Sequence, residues 1–167
     1  MARASHDPSA RRPHGPEDVW VEGPQGRYWG RYGAAGLLVA HPGSGVLLQL
    51  RVGWSHFGGT WGLPGGARKG DETAEHAAIR EADEEAGVPP ELVEVIGSQV
   101  LDLGYWSYTT VLARAVQPFE PVIGDAESAA LRWVPTGEVG ELPLHPGFAA
   151  AWPTLRARLA EADPALG

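Results

Sequence analysis

Cysteine is absent from the 167 residues. That excludes disulfides, thiolate-bound zinc and a cysteine nucleophile, so any metal must be held by carboxylate, imidazole or backbone oxygen. Lysine is nearly absent: Lys69 stands alone among 13 basic residues. Against them are 21 acidic residues, and the formal net charge of −8 argues against binding a DNA duplex, whose phosphates such a surface repels. A small phosphate ligand is still admissible, because a bound cation inverts the local field. No apolar run approaches the ~20 residues of a spanning helix, so no membrane association is expected. The N-terminus lacks the apolar core of a signal peptide, and a cytoplasmic location is the expectation.

Glycine (23) and proline (15) are abundant. They predict many turns and an α/β or α+β fold rather than a helix bundle. Residues 1–18 are polar and rich in proline and arginine, with no apolar period, and read as a disordered tail; residues 19–167 read as one domain. Residues 19–21 form a short strand in this reading. Residues 34–40 and 46–52 form a hairpin around His41-Pro42-Gly43-Ser44-Gly45, and residues 53–64 form a glycine-rich loop. Thr73–Ala86 is the strongest helix, with Asp71 and Thr73 offering N-cap oxygens and Gly87 a C-terminal stop. Two longer strands follow, over 92–103 and 105–116, then a short one over 131–134. A second helix spans 148–160, with Pro153 at a kink or in its true first turn.

On a wheel of about 100° per residue, Glu81, Glu84 and Glu85 share an arc of roughly 100° beside the apolar stripe of Ile79, Ala82 and Ala86. Asp83 points away. Like charges at this spacing cost a few tenths of a kcal/mol per pair, and they lie at the end of the helix that disfavours anions. A hard divalent cation removes the penalty. A solvated acidic face, with Arg80 pairing to Glu84, is the competing reading of the same residues. Ala74, Ala77, Ala78 and Val88, on the carboxylate face, are small enough to admit a loop or a phosphate.

The spacing runs Gly66, five residues, Glu72, seven residues, Arg80-Glu81-Ala82, one residue, Glu84-Glu85, one residue, Gly87-Val88. It resembles the complete box of the Nudix hydrolases, and Trp61-Gly62-Leu63-Pro64-Gly65 resembles the stretch that leads into it. The resemblance implies an α/β/α sandwich around a mixed β-sheet. It implies Mg²⁺ or Mn²⁺ on Glu81, Glu84, Glu85 and the Gly65 carbonyl, with Glu72 and Arg80 holding the loop against the helix. Glu127, six residues before Trp133-Val134, matches an extra carboxylate used as a further ligand or general base; otherwise Glu127 and Asp125 are solvated loop residues. His56 is a second base candidate.

The implied reaction cleaves the diphosphate linkage of a nucleoside diphosphate joined to a second group X. For the nucleotide, Trp61, Phe57, Tyr105, Trp106 and Tyr108 offer stacking surfaces, and Arg51 or Arg31 offers charge to phosphates. On one strand Tyr105 and Trp106 must face opposite ways, so only one set lines a pocket. A non-catalytic nucleotide sensor on the same fold is the alternative, and the intact box argues against it. An isomerase-type relative would need a reactive cysteine. Homodimers are compatible with the resemblance.

Overall fold

The computed structural model describes residues 16–167. The expected tail at residues 1–15 lies outside the described residues. Of its last three residues, Glu17 is tied in: its carbonyl accepts from the N–H groups of Val19 and Arg31.

The sheet explains how the box is held. Strand β3 (Ala34–His41) and strand β4 (Gly45–Arg51) pair only beside their turn, at Ala40↔Val46 and His41↔Gly45. Gly45 has a φ of 93°, which suits glycine alone among the common residues. Beyond the turn the two strands splay apart. The gap is filled by β5 (Trp61–Gly62), paired to β4, and β6 (Gly65–Ala67), paired to β3. The stretch that read as the end of a glycine-rich loop is therefore built into the sheet. Two- and three-residue strands carry no alternation that a sequence pattern could reveal.

Strand β8 (Ser107–Ala115) runs parallel to β3, and β7 (Val93–Asp102) pairs antiparallel with β8 at the sheet edge. On the far side of β4 lies β9 (Ser128–Val134), which begins three residues earlier than its apolar run suggests. The result is a seven-stranded mixed sheet. A separate ribbon joins β1 (Trp20–Gly23) to β2 (Gly26–Trp29), the latter unseen in the sequence.

Helix α1 (Ala74–Ala86) and helix α2 (Pro146–Ala162) cover opposite faces of the sheet. Because β3 is covered on both sides, its residues read as a continuous apolar run. Leu37 and Val39 pack toward α1; Leu38 and Ala40 pack toward α2. Each fully buried leucine or valine here contributes about 1.5–3 kcal/mol relative to exposure.

Two sequence expectations need correction. Of the two places offered for Pro153, the first turn is ruled out: Pro153 lies inside α2, and Pro146 occupies the first turn, behind His145 as N-cap. Ala77 and Ala78 are fully buried in the core under the sheet, so their small size serves helix–sheet contact rather than the approach of a phosphate.

Candidate active site

Helix α1 starts where the Thr73 hydroxyl accepts from the His76 N–H at 3.1 Å. It stops at Gly87, which takes the left-handed conformation with φ 63°. This register turns Arg80, Glu81 and Glu85 toward the β6 loop. Glu72, in that loop, receives both arms of Arg80, Nε on Oε2 at 2.7 Å and Nη2 on Oε1 at 2.8 Å, and also the Lys69 N–H at 2.9 Å. Arg80 Nη2 reaches the Ala67 carbonyl as well, at 3.3 Å. The clamp joins loop to helix. The Arg80 hydrogen bonds, outweighing desolvation, hold the Glu72 carboxyl down at about 2.

Glu81 lies against Gly66, where a Cβ would stand 2.7 Å from its Cδ, and its Oε1 is 2.9 Å from Arg80 Nη1. Glu84 is more exposed and pairs loosely with Arg80 at 3.5 Å. Glu85 is buried, and its Oε2 accepts from the Gly65 N–H at 3.1 Å. Burial, then the neighbouring charges of Glu81 and Asp125, push the Glu85 carboxyl well above the usual range. Burial raises Glu81 as well.

The sequence offers Glu127 as a further ligand or base, with Glu127 and Asp125 together as solvated loop residues in the competing reading. One oxygen from each of Glu85, Asp125 and Glu127 lies within 4.8 Å of the others. The loop carrying the latter two is sewn to the end of α1: the Val122 N–H donates to Ala86 O at 2.9 Å and the Gly124 N–H to Glu85 O at 3.0 Å. At Gly124 a Cβ would overlap the Glu84 carbonyl, so only glycine allows this approach. At its other end the Val52 N–H donates to Glu127 O at 3.0 Å. Asp125 turns its own loop, accepting the Glu127 N–H at 3.1 Å. No sequence period links these residues to α1.

Such a donor set, all hard oxygen and partly buried, fits a divalent cation of the magnesium type. It is an unfavourable arrangement without one.

The expected substrate residues separate into groups. Arg51 donates from Nε to the His56 carbonyl at 2.8 Å. The His56 ring meets Phe57 at 4.2 Å, and Phe57 meets His145 at 4.9 Å, both edge-on. Phe57 has a φ of 55°, which a non-glycine residue adopts only under local constraint. His145 was missed by the sequence reading. Its Nδ1 caps α2 by accepting from the Gly147 N–H at 3.0 Å, and burial, then Arg51 and His56, lower its pKa to about 4. His56 does not join the carboxylate cluster. Trp61 packs against the α2-side core. Tyr105 and Trp106 serve the ribbon: the Tyr105 hydroxyl donates to Gly26 O at 2.9 Å, and Trp106 stacks on Tyr28 at 4.3 Å. Of the strand aromatics, Tyr108 remains beside Glu85 and Arg51, which both act on its ionisation.

A mixed sheet between two helices, with a loop–helix carboxylate centre, defines the architecture of the Nudix domain, and the family model for that domain matches residues 30–157. The chain belongs to the Nudix hydrolase family, and its enzyme class is the Nudix pyrophosphohydrolase. It is 52% identical over 153 residues to a Mycobacterium tuberculosis protein named "Putative 8-oxo-dGTP diphosphatase 3", covering 85% of this chain and 70% of that one. A Bifidobacterium longum nucleoside triphosphate pyrophosphatase/Nudix hydrolase fusion protein is 42% identical over 163 residues, covering 92% of this chain but 34% of that protein. Among solved structures, the Nudix hydrolase RenU of M. smegmatis matches with a TM-score of 0.79 and 50% identity, over 86% of this chain and 96% of that one. A C. elegans Ap4A hydrolase shares the fold, with a TM-score of 0.63 at 23% identity over 77% of this chain and 98% of that one. No helix among the described residues is long and apolar enough to cross a membrane.

Proposed function

We propose that this protein hydrolyses the diphosphate linkage of a small nucleotide, a nucleoside triphosphate or a related nucleoside diphosphate joined to a group X, with Mg²⁺ or Mn²⁺. The observation that carries the reading is the buried Glu85 carboxylate within 4.8 Å of Asp125 and Glu127. A bound divalent ion would supply charge neutralisation of the diphosphate oxygens and orientation of water. Glu81, Glu84, Glu85, Asp125 and Glu127, with the Gly65 carbonyl, are the residues to hold it. Glu127 is the candidate for accepting the proton of the attacking water. Water adds to one phosphorus, the P–O bond to the leaving phosphate breaks, and the products are a nucleoside monophosphate and phosphorylated X, or pyrophosphate when X is phosphate. The 52% identity to a protein named for 8-oxo-dGTP supports a nucleoside triphosphate as substrate.

The test is a panel of nucleoside triphosphates, oxidised and ordinary, nucleoside diphosphate sugars and dinucleoside polyphosphates, incubated with Mg²⁺ and resolved by product. Release of monophosphate and pyrophosphate from a triphosphate is the expected result. Tight binding without product from any member would reject hydrolysis in favour of a nucleotide sensor.

A further inference from the structure

One side of the carboxylate cluster rests on two buried polar groups outside the ligand set. Strand β4 is apolar over Val46, Leu47 and Leu48 and then places an amide, Gln49, in the interior. Gln49 shares the face of Leu47, which packs toward α1. Its Nε2 donates to the hydroxyl of Ser128, which is buried as well. The Ser128 hydroxyl in turn lies 3.4 Å from Asp125 Oδ1. A carboxylate only accepts, so the single Ser128 proton goes to Asp125, and the serine oxygen accepts from the amide. The bonds therefore run one way, from Gln49 through Ser128 to Asp125. The backbone is bent to make this contact. From Val46↔Val134 to Leu50↔Ala130 the strands β4 and β9 pair in regular steps, but Arg51 then pairs with Ser128, and Ala129 is an extra residue. An unbroken ladder would set Ala129 opposite Arg51 and turn Ser128 to the α2 side. The bulge returns Ser128 to the face of Gln49, where it meets Asp125.

We infer that Gln49 and Ser128 are positioning residues, which hold the Asp125 carboxylate by Oδ1 so that Oδ2 is offered to a divalent cation shared with Glu85 and Glu127. This rests on the reading above that the cluster holds the ion. Asp125 Oδ1 accepts from both the Ser128 hydroxyl and the Glu127 N–H, the latter at 3.1 Å. Two donors on one oxygen fix the plane of the carboxylate and leave the other oxygen for the metal. Burying an amide in an otherwise apolar strand carries a desolvation cost that leucine would not. Stability alone gives no reason for Gln49 at this position, whereas an outer partner that orients a ligand does.

The test uses Mn²⁺ alone, with binding followed by electron paramagnetic resonance of the free ion, beside urea unfolding of the metal-free protein. Ser128→Ala by itself leaves the Gln49 amide buried without its acceptor and should lower stability. The variant to measure therefore carries Gln49→Met and Ser128→Ala together, which removes both partners and leaves an apolar contact. This double variant should unfold near the wild-type urea midpoint and bind Mn²⁺ about tenfold more weakly. A pair with a merely structural role would do the opposite, lowering the midpoint and leaving the affinity unchanged. Asp125→Asn should lose at least as much affinity, and adding the double substitution to it should cause no further loss, because the pair acts through Asp125. A further loss there overturns the inference. Wild-type affinity in the double variant, with Asp125→Asn impaired, also overturns it and leaves the metal cluster standing. Wild-type affinity in Asp125→Asn removes both the inference and the place of Asp125 among the ligands. If the wild type binds no Mn²⁺, the metal-dependent reading falls as well.

Discussion

Glu85 carries more of this site than any other side chain. It is buried, it accepts from the Gly65 N–H, and it meets Asp125 and Glu127 from another segment. Replacing it with glutamine keeps the shape and removes the charge, so Glu85→Gln should stay folded and lose turnover by orders of magnitude, with Mg²⁺ affinity reduced in a titration of activity or Mn²⁺ binding. Near-wild-type activity at excess Mg²⁺ in both Glu85→Gln and Glu84→Gln would show the ligand assignment to be wrong. Gly66 makes a subtler case. A methyl there would stand 2.7 Å from Glu81 Cδ, so Gly66→Ala should displace Glu81 and weaken the metal while the core is unaffected. Glu72 acts on structure instead. Removing its charge leaves Arg80 without its bidentate partner, and Glu72→Gln should cost about 1–3 kcal/mol in urea unfolding, with the loss concentrated at neutral pH. These box residues were readable in the sequence because fixed spacing along one helix converts directly into geometry. Asp125 was not. Its place in the cluster depends on an approach across 40 residues to Glu85, and nothing periodic in a loop announces such an approach.

Among the elements, the splayed β3–β4 hairpin matters as much as the helix. Its open end is the seat of β5 and β6, so the glycine-rich segment is aligned by sheet hydrogen bonds before it delivers Gly65 and Gly66 to α1. The sequence showed the two hairpin strands and the helix, which have clear apolar periods and caps. It did not show that the strands part, because splaying is decided by which third strand competes for their edges. The other critical element is the loop that ends in Glu127. Its approach to α1 depends on Gly124, where any side chain would overlap the Glu84 carbonyl. Gly124→Ala should therefore pull Asp125 and Glu127 away from Glu85 without touching either carboxylate. The expected signature is a metal affinity lowered at least tenfold with normal helix content by circular dichroism. A variant whose Mg²⁺ dependence matches the wild type would mean that the loop does not contribute ligands.

For the molecule as a whole, the carboxylates set opposite demands on pH. The folded Glu72 carboxyl lies at about 2 against an ordinary value of 4.5, so its stabilisation is complete above about pH 4.5 and disappears as pH falls toward 2. Glu81 and Glu85 are raised instead. The stabilisation that goes with their protonated forms is present below about 4.5 and is lost as pH rises through their folded values. The metal-free protein should thus lose stability as pH rises above about 4.5 and through the range where the two carboxyls ionise, as charges it cannot solvate are forced into the site. A divalent ion binds the ionised form and releases the bound protons, so it stabilises the fold by mass action and most strongly where the carboxylates are ionised. The gap between melting temperatures measured with EDTA and with excess Mg²⁺ should be smaller at pH 5 than at pH 8. A shift as large at pH 5 as at pH 8 would place the ion somewhere other than on the raised pair, and would move the catalytic centre away from Glu85.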